Sequence, residues 1–121
     1  MSSTDTTIGI RSRADLERHQ SARLAALLAE VLPGNPFWQA KFAGAGVAAA
    51  DVRTLYDLRK LPFSTKAEIL ADQEAHPPYG SNLTYDLPRN SLLHQTSGTT
   101  GTPLRWLDTP QSWEAILGNW R

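Results

Sequence analysis

Seven consecutive residues, Thr96-Ser97-Gly98-Thr99-Thr100-Gly101-Thr102, hold five hydroxyl side chains and two glycines. Composition alone does not distinguish this stretch, because Met1 to Thr7 also has five hydroxyl residues in seven. What differs is the setting. Two glycines three apart permit backbone angles that turn successive N–H groups inward, and a β-like run on each side would fix the mouth of the loop. A nest of this kind, ringed by hydroxyl donors, suits phosphate oxygens. It is not a Walker loop, since Thr102-Pro103 stands where Lys-Ser/Thr must follow the last glycine, and no dinucleotide fingerprint fits. Such a loop would bind triphosphate through amides and hydroxyls, leaving most charge neutralisation to magnesium or to cations from elsewhere. Arg105 is the nearby candidate cation. His94 would share a strand face with Thr96, either beside the phosphates or packed in the sheet. Without a ligand, the same residues make a Gly/Thr-rich hairpin loop.

The rest of the chain offers little competing chemistry. Lys66 falls in the first turn of an expected helix, where lysine is ordinarily solvated, and His19 and His76 read as surface. Asp and Glu are scattered, no His pair has ligand spacing and cysteine is absent, so no protein metal site, disulfide or thiolate nucleophile is expected. Twelve Lys plus Arg balance twelve Asp plus Glu over 121 residues. That balance gives no general field for nucleic acid or anionic lipid, and neither is expected as a partner. Met1 to Ile10 lacks the apolar core of a secretory signal, and Leu24 to Leu32 is interrupted by Glu30. A cytoplasmic location is the default expectation.

The elements that must position the loop follow from periodicity and caps. Residues 1–11 read as a disordered arm and residues 12–90 as a helical segment with a loop. Residues 91–121 read as the phosphate-loop hairpin and the start of a further helix. Ser12 can cap a helix whose stripe is Leu16, Leu24, Leu27, Leu28 and Val31, ended by Pro33-Gly34. Asn35 and Pro36 announce a second helix carrying Phe37, Trp38 and Phe42, stopped by Gly44 and Gly46. Asp51 begins a third segment in which Val52, Leu55, Tyr56 and Leu58 share a face, ending near Leu61 before Pro62. Thr65 to Glu68 fits a capping box opening a fourth helix. His76 to Asn90 is rich in turn residues and reads as an ordered loop. Ser91 to Thr96 and Pro103 to Leu107 read as two short strands, and Thr109-Pro110 starts a helix with Trp113, Ile116, Leu117 and Trp120 on one face. That helix is expected to continue past Arg121. The fold class is α/β, or α+β for this stretch alone, with the sheet completed elsewhere.

His94-Gln-Thr-Ser-Gly-Thr-Thr-Gly-Thr-Pro103 resembles the hydroxyl-rich phosphate loop of the adenylate-forming enzymes: acyl-CoA synthetases, peptide-synthetase adenylation domains and luciferases. Further blocks narrow the match. Asn35-Pro36-Phe37-Trp38 with Phe42, Leu55-Tyr56-Asp57-Leu58, Leu61 to Lys66, Tyr79-Gly80 and then the loop resemble, in that order, the N-terminal part of the phenylacetate-CoA ligase family. The resemblance runs from Asn35 to about Trp120. It implies that ATP and a carboxylic acid, possibly aromatic, give an acyl-adenylate and pyrophosphate, after which coenzyme A thiol displaces AMP. ATP, Mg2+ and coenzyme A are the implied cofactors, and residues 96–102 the implied phosphate loop. Many superfamily members carry lysine at the position of Thr102 or just after the proline, whereas here Thr102 and Leu104 are not basic.

The family's adenine-binding segment, its acidic magnesium residue, its ribose aspartate and its small C-terminal domain with the catalytic lysine would lie beyond Arg121. Two other readings stand beside the ligase. One is a non-catalytic module that binds another polypeptide through its helices and indoles. The other is an adenylating enzyme that passes the acyl group to a carrier thiol or an amine. If the ligase reading holds, the isolated 121 residues show no acid-dependent ATP–pyrophosphate exchange; clear exchange above background in that assay would contradict it.

Overall fold

The computed structural model describes residues 9–97 and 101–120. Of the expected N-terminal arm, residues 9–11 are exposed and irregular, and residues 1–8 lie outside the described residues. Helix α1, Arg13–Val31, starts where Ser12 Oγ accepts the Asp15 N–H at 3.1 Å. Leu16, Leu24, Leu28 and Val31 form its half-buried stripe. Leu27 was expected there too but is 56% exposed. With its neighbour Leu28 on the inner stripe, a position one residue back is rotated about 100° away.

Helix α2, Pro36–Ala45, has Asn35 as cap and proline in its first turn. Gly44 lies inside it, and the stop is Gly46, whose φ of 66° is the left-handed conformation of a helix C-terminus. Phe37, Phe42 and Val52 are the buried apolar core. The third segment departs from expectation, forming two 3₁₀ turns, Ala49–Asp51 and Leu55–Lys60. Asp51 accepts the Ala48 N–H, and Asp57 accepts those of Arg53 and Thr54, all at 2.8–3.0 Å. Each carboxylate therefore caps its own turn, and extended backbone at Val52 separates them. Val52 is buried as a result, while Tyr56 and Leu58 do not share its face and are exposed. Lys60, with the Arg53 and Thr54 amides, holds the Asp57 carboxyl well below its usual range.

Helix α3, Lys66–Ala75, has the reciprocal capping box: Glu68 N–H donates to Thr65 Oγ1 at 3.2 Å and Thr65 N–H to Glu68 Oε2 at 2.7 Å. Glu68 also accepts from Lys41 Nζ on α2 at 2.7 Å, and this ammonium is the chief cause of its lowered pKa. Strands β1, Leu92–Gln95, and β2, Arg105–Asp108, form an antiparallel pair in the register Leu92 with Asp108 through Gln95 with Arg105. Helix α4, Pro110–Gly118, is capped by Thr109, whose Oγ1 accepts the Ser112 N–H at 3.1 Å. Its regular hydrogen bonding runs to Gly118, and the Asn119 and Trp120 N–H groups close on the Ile116 and Leu117 carbonyls. Trp120 sits beyond the helix and is 85% exposed. No helix among the described residues is long and apolar enough to cross a membrane.

The loop from His76 to Asn90 is ordered by polar side chains reaching from the helices. Asn35, 1% exposed, donates through Nδ2 to Asn82 Oδ1 at 2.9 Å and Thr84 Oγ1 at 3.1 Å, while its Oδ1 accepts the Trp38 N–H at 3.3 Å. Removing that amide deletes a cap and strands two loop acceptors. Asn35→Ala is expected to cost about 2–4 kcal/mol locally. Hydrogen exchange of the first-turn amides of α2 should then accelerate by roughly thirtyfold or more, and unchanged protection would contradict the assignment.

Candidate functional site

The hydroxyl-rich segment joins β1 to β2. At its neck, the Thr96 N–H donates to the Leu104 carbonyl at 2.9 Å, and the Leu104 N–H donates to Thr96 Oγ1 at 3.0 Å. Thr96 thus extends the ladder one pair past Gln95 and Arg105, and its hydroxyl proton is still available to a ligand. Beyond the neck, Ser97, Gly101 and Thr102 are exposed. Gly101 has φ 140°, a backbone conformation that side chains resist, although open space surrounds the position of a Cβ. Gly98, Thr99 and Thr100, also expected in the phosphate loop, lie outside the described residues.

His94 packs in the sheet. Its ring stacks on its cross-strand partner Trp106 at 5.3 Å and meets Trp113 of α4 at 4.8 Å. Its Nε2 lies 3.0 Å from Asp108 Oδ2, and neither atom has another hydrogen-bonding partner among the described residues. Asp108 Oδ1 accepts from Ser112 Oγ at 2.6 Å. An imidazole, a carboxylate and a hydroxyl therefore tie the strand that feeds the loop to the first turn of α4. Arg105 is turned along the hairpin: its Nε donates to Gln95 Oε1 at 3.0 Å and its Nη1 to the Pro78 carbonyl at 3.5 Å. Lys66, His19 and His76 do not join this group; Lys66 is exposed, and His76, at the C-cap of α3, reaches back to Asp72.

One residue at the site is not among those expected from the sequence. Gln73 of α3 is 6% exposed. Its Nε2 donates to the Pro103 carbonyl at 3.0 Å and its Oε1 accepts the Arg105 N–H at 2.9 Å. Gln73 lies four residues after Ile69 and three after Leu70, both half-buried. A polar residue on the apolar face of a helix is the signal that could have singled it out. Its neighbour Asp72 accepts from the Ser81 amide at 2.7 Å and from the Ser81 hydroxyl. A Cβ on Gly80, at φ 81°, would lie 2.5 Å from Asp72 Oδ2, so a side chain there would strain the backbone and displace the Asp72 carboxylate.

The described part of the hairpin mouth is thus made of exposed hydroxyl residues and one glycine. Among the described residues no group of three or more His, Cys, Asp or Glu could hold a metal ion, and none is assigned to one.

The fold is that of a segment of the CoA ligases. Over 90% of this chain and 23% of the other, it superposes on 2-hydroxyisobutyryl-CoA ligase in complex with 2-HIB-AMP and CoA in the thioesterification state, with TM-score 0.81 and 26% identity. The postadenylation complex of that ligase with 2-HIB-AMP gives TM-score 0.80 at 24% identity, over 90% of this chain and 22% of that one. In sequence, the resemblance to the phenylacetate-CoA ligases is borne out. The chain is 34% identical over 91 residues to the phenylacetate-coenzyme A ligase of Escherichia coli, covering 74% of this chain and 19% of that protein. With the Thermus thermophilus enzyme of the same name it is 34% identical over 93 residues, covering 75% of this chain and 19% of that protein. The chain therefore spans about a fifth of the length of these relatives. No protein-family model matches it.

The neck makes a separable prediction. Thr96→Val keeps the side-chain shape and leaves the Leu104 N–H without its acceptor. The hairpin should lose about 1–2 kcal/mol. Exchange of the Leu104 amide, followed by mass spectrometry or NMR, should quicken roughly five- to thirtyfold; an unchanged rate would show that the hydroxyl does not close the loop.

Proposed function

We propose that this chain is the phosphate-loop-bearing part of an AMP-forming acid–CoA ligase that activates a small carboxylic acid, with an aromatic acid the favoured substrate class. The observation that carries the reading is a hydroxyl- and glycine-rich connection whose neck is fixed by Thr96 and Leu104, in a chain similar in sequence to ligases of phenylacetate. A carboxylate is a poor acyl donor, and its adenylate supplies a good leaving group to the coenzyme A thiol. In this reading Thr96, Ser97, Gly98, Thr99, Thr100, Gly101 and Thr102 hold the β- and γ-phosphates through amides and hydroxyls. Thr96 combines two tasks, closing the neck as acceptor and offering its proton to the nucleotide. The loop residues carry no cation, and Arg105 is engaged by Gln95 and Pro78. Charge neutralisation therefore falls to magnesium arriving with ATP and to the rest of the enzyme, which also supplies the acid and coenzyme A sites. CoA is favoured over a carrier thiol or an amine as acceptor because the sequence relatives are CoA ligases.

The test uses the full-length natural protein with phenylacetate and ATP. Gly98→Val and Thr99→Ala, each removing part of the nest, should lower acid-dependent ATP–pyrophosphate exchange by about a hundredfold, with secondary structure unchanged by circular dichroism. Variants that retain ATP affinity and full exchange would sink the phosphate-loop assignment.

A further inference from the structure

The antiparallel register fixes which way each backbone group of β2 points. Leu104 and Trp106 face β1, being the partners of Thr96 and His94, so the Pro103 carbonyl and the Arg105 N–H point to the opposite edge of the strand. A third strand would pair with those two groups. The Gln73 carboxamide meets them instead, donating to one and accepting from the other. A primary amide presents the same donor and acceptor as a peptide unit, so this buried side chain acts as a one-residue strand.

We infer that Gln73 is a positioning residue for the nucleotide: it sets the downstream limb of the phosphate loop from outside the hairpin and couples ATP affinity to helix α3. This rests on the ligase reading. The upstream limb is held at Thr96 by the hairpin's own ladder. On the downstream limb Leu104 is the partner of Thr96, and the groups on either side of it, the Pro103 carbonyl and the Arg105 N–H, are held by Gln73. Asp72, one residue earlier, anchors the same turn of α3 to Ser81. A shift of α3 would therefore move the loop limb, and small misplacements of phosphate donors are costly to catalysis.

Gln73→Glu discriminates between positioning and general damage. An ionised glutamate still accepts the Arg105 N–H but sets an oxygen against the Pro103 carbonyl. A protonated glutamate donates an O–H there and accepts at its other oxygen, reproducing the amide. Burial favours the protonated form. In the full-length enzyme at pH 8, the KM for ATP in pyrophosphate exchange should rise about tenfold in Gln73→Glu, with the KM for the acid unchanged. The variant-to-wild-type ratio should fall towards one as the pH is lowered to about 6. Gln73→Met, which lacks both bonding groups, should show the higher KM at every pH; if it fails to fold, the Gln73→Glu profile decides alone. A ratio near one at pH 8, or a deficit independent of pH, overturns the inference. Wild-type enzyme without ATP–pyrophosphate exchange overturns the ligase reading, and this inference with it.

Discussion

A two-stranded hairpin is marginal in water because half of its edge groups have no protein partner, and here a single amide side chain supplies what a neighbouring strand would. Gln73 reaches β2 from a helix more than twenty residues earlier in the chain. The outer edge of β2 next to the loop is held by that reach. Thr96 and Leu104 close the neck, and Gln73 holds the strand groups on either side of Leu104. The same amide blunts a strand edge that would otherwise be open to pairing with another chain.

The clamp is in turn only as firm as the helices behind it. Polar side chains do this work rather than a large apolar core, since Phe37, Phe42 and Val52 are the only buried large apolar side chains among the described residues. Asn35 ties the start of α2 to Asn82 and Thr84, Asp72 ties α3 to Ser81, and Lys41 bridges α2 to Glu68. A buried amide with all its partners costs little to bury and specifies one arrangement, whereas apolar contacts tolerate several. The long turn-rich loop from His76 to Asn90 is thereby ordered with little regular structure of its own beyond the 3₁₀ turn Leu87–Arg89.

What was legible in the sequence was local. Ser12, Asn35, Thr65 and Thr109 each cap the helix they were expected to cap, because the cap bond lies within three residues of its donor. The hairpin was legible for the same reason, its strands being separated by one glycine-containing connection. The Asp51 to Leu61 segment misled because spacing alone cannot tell a helix from two turns, each closed by its own carboxylate. The Gln73 contacts were illegible in principle: nothing near residue 73 announces a partner at residues 103 and 105. Of the loop residues, the sequence suggested a chemistry, and the structure adds the means by which two of its limbs are held.

The packing around His94 has an optical consequence. Two of the four tryptophans, Trp106 and Trp113, flank an imidazole that stands two residues before the loop. Indole emission responds to the ring stacked against it and to the carboxylate beyond, so the hairpin carries its own fluorophores at the junction of strand and helix. Events at the loop can therefore be followed by the protein's own light, with no label attached.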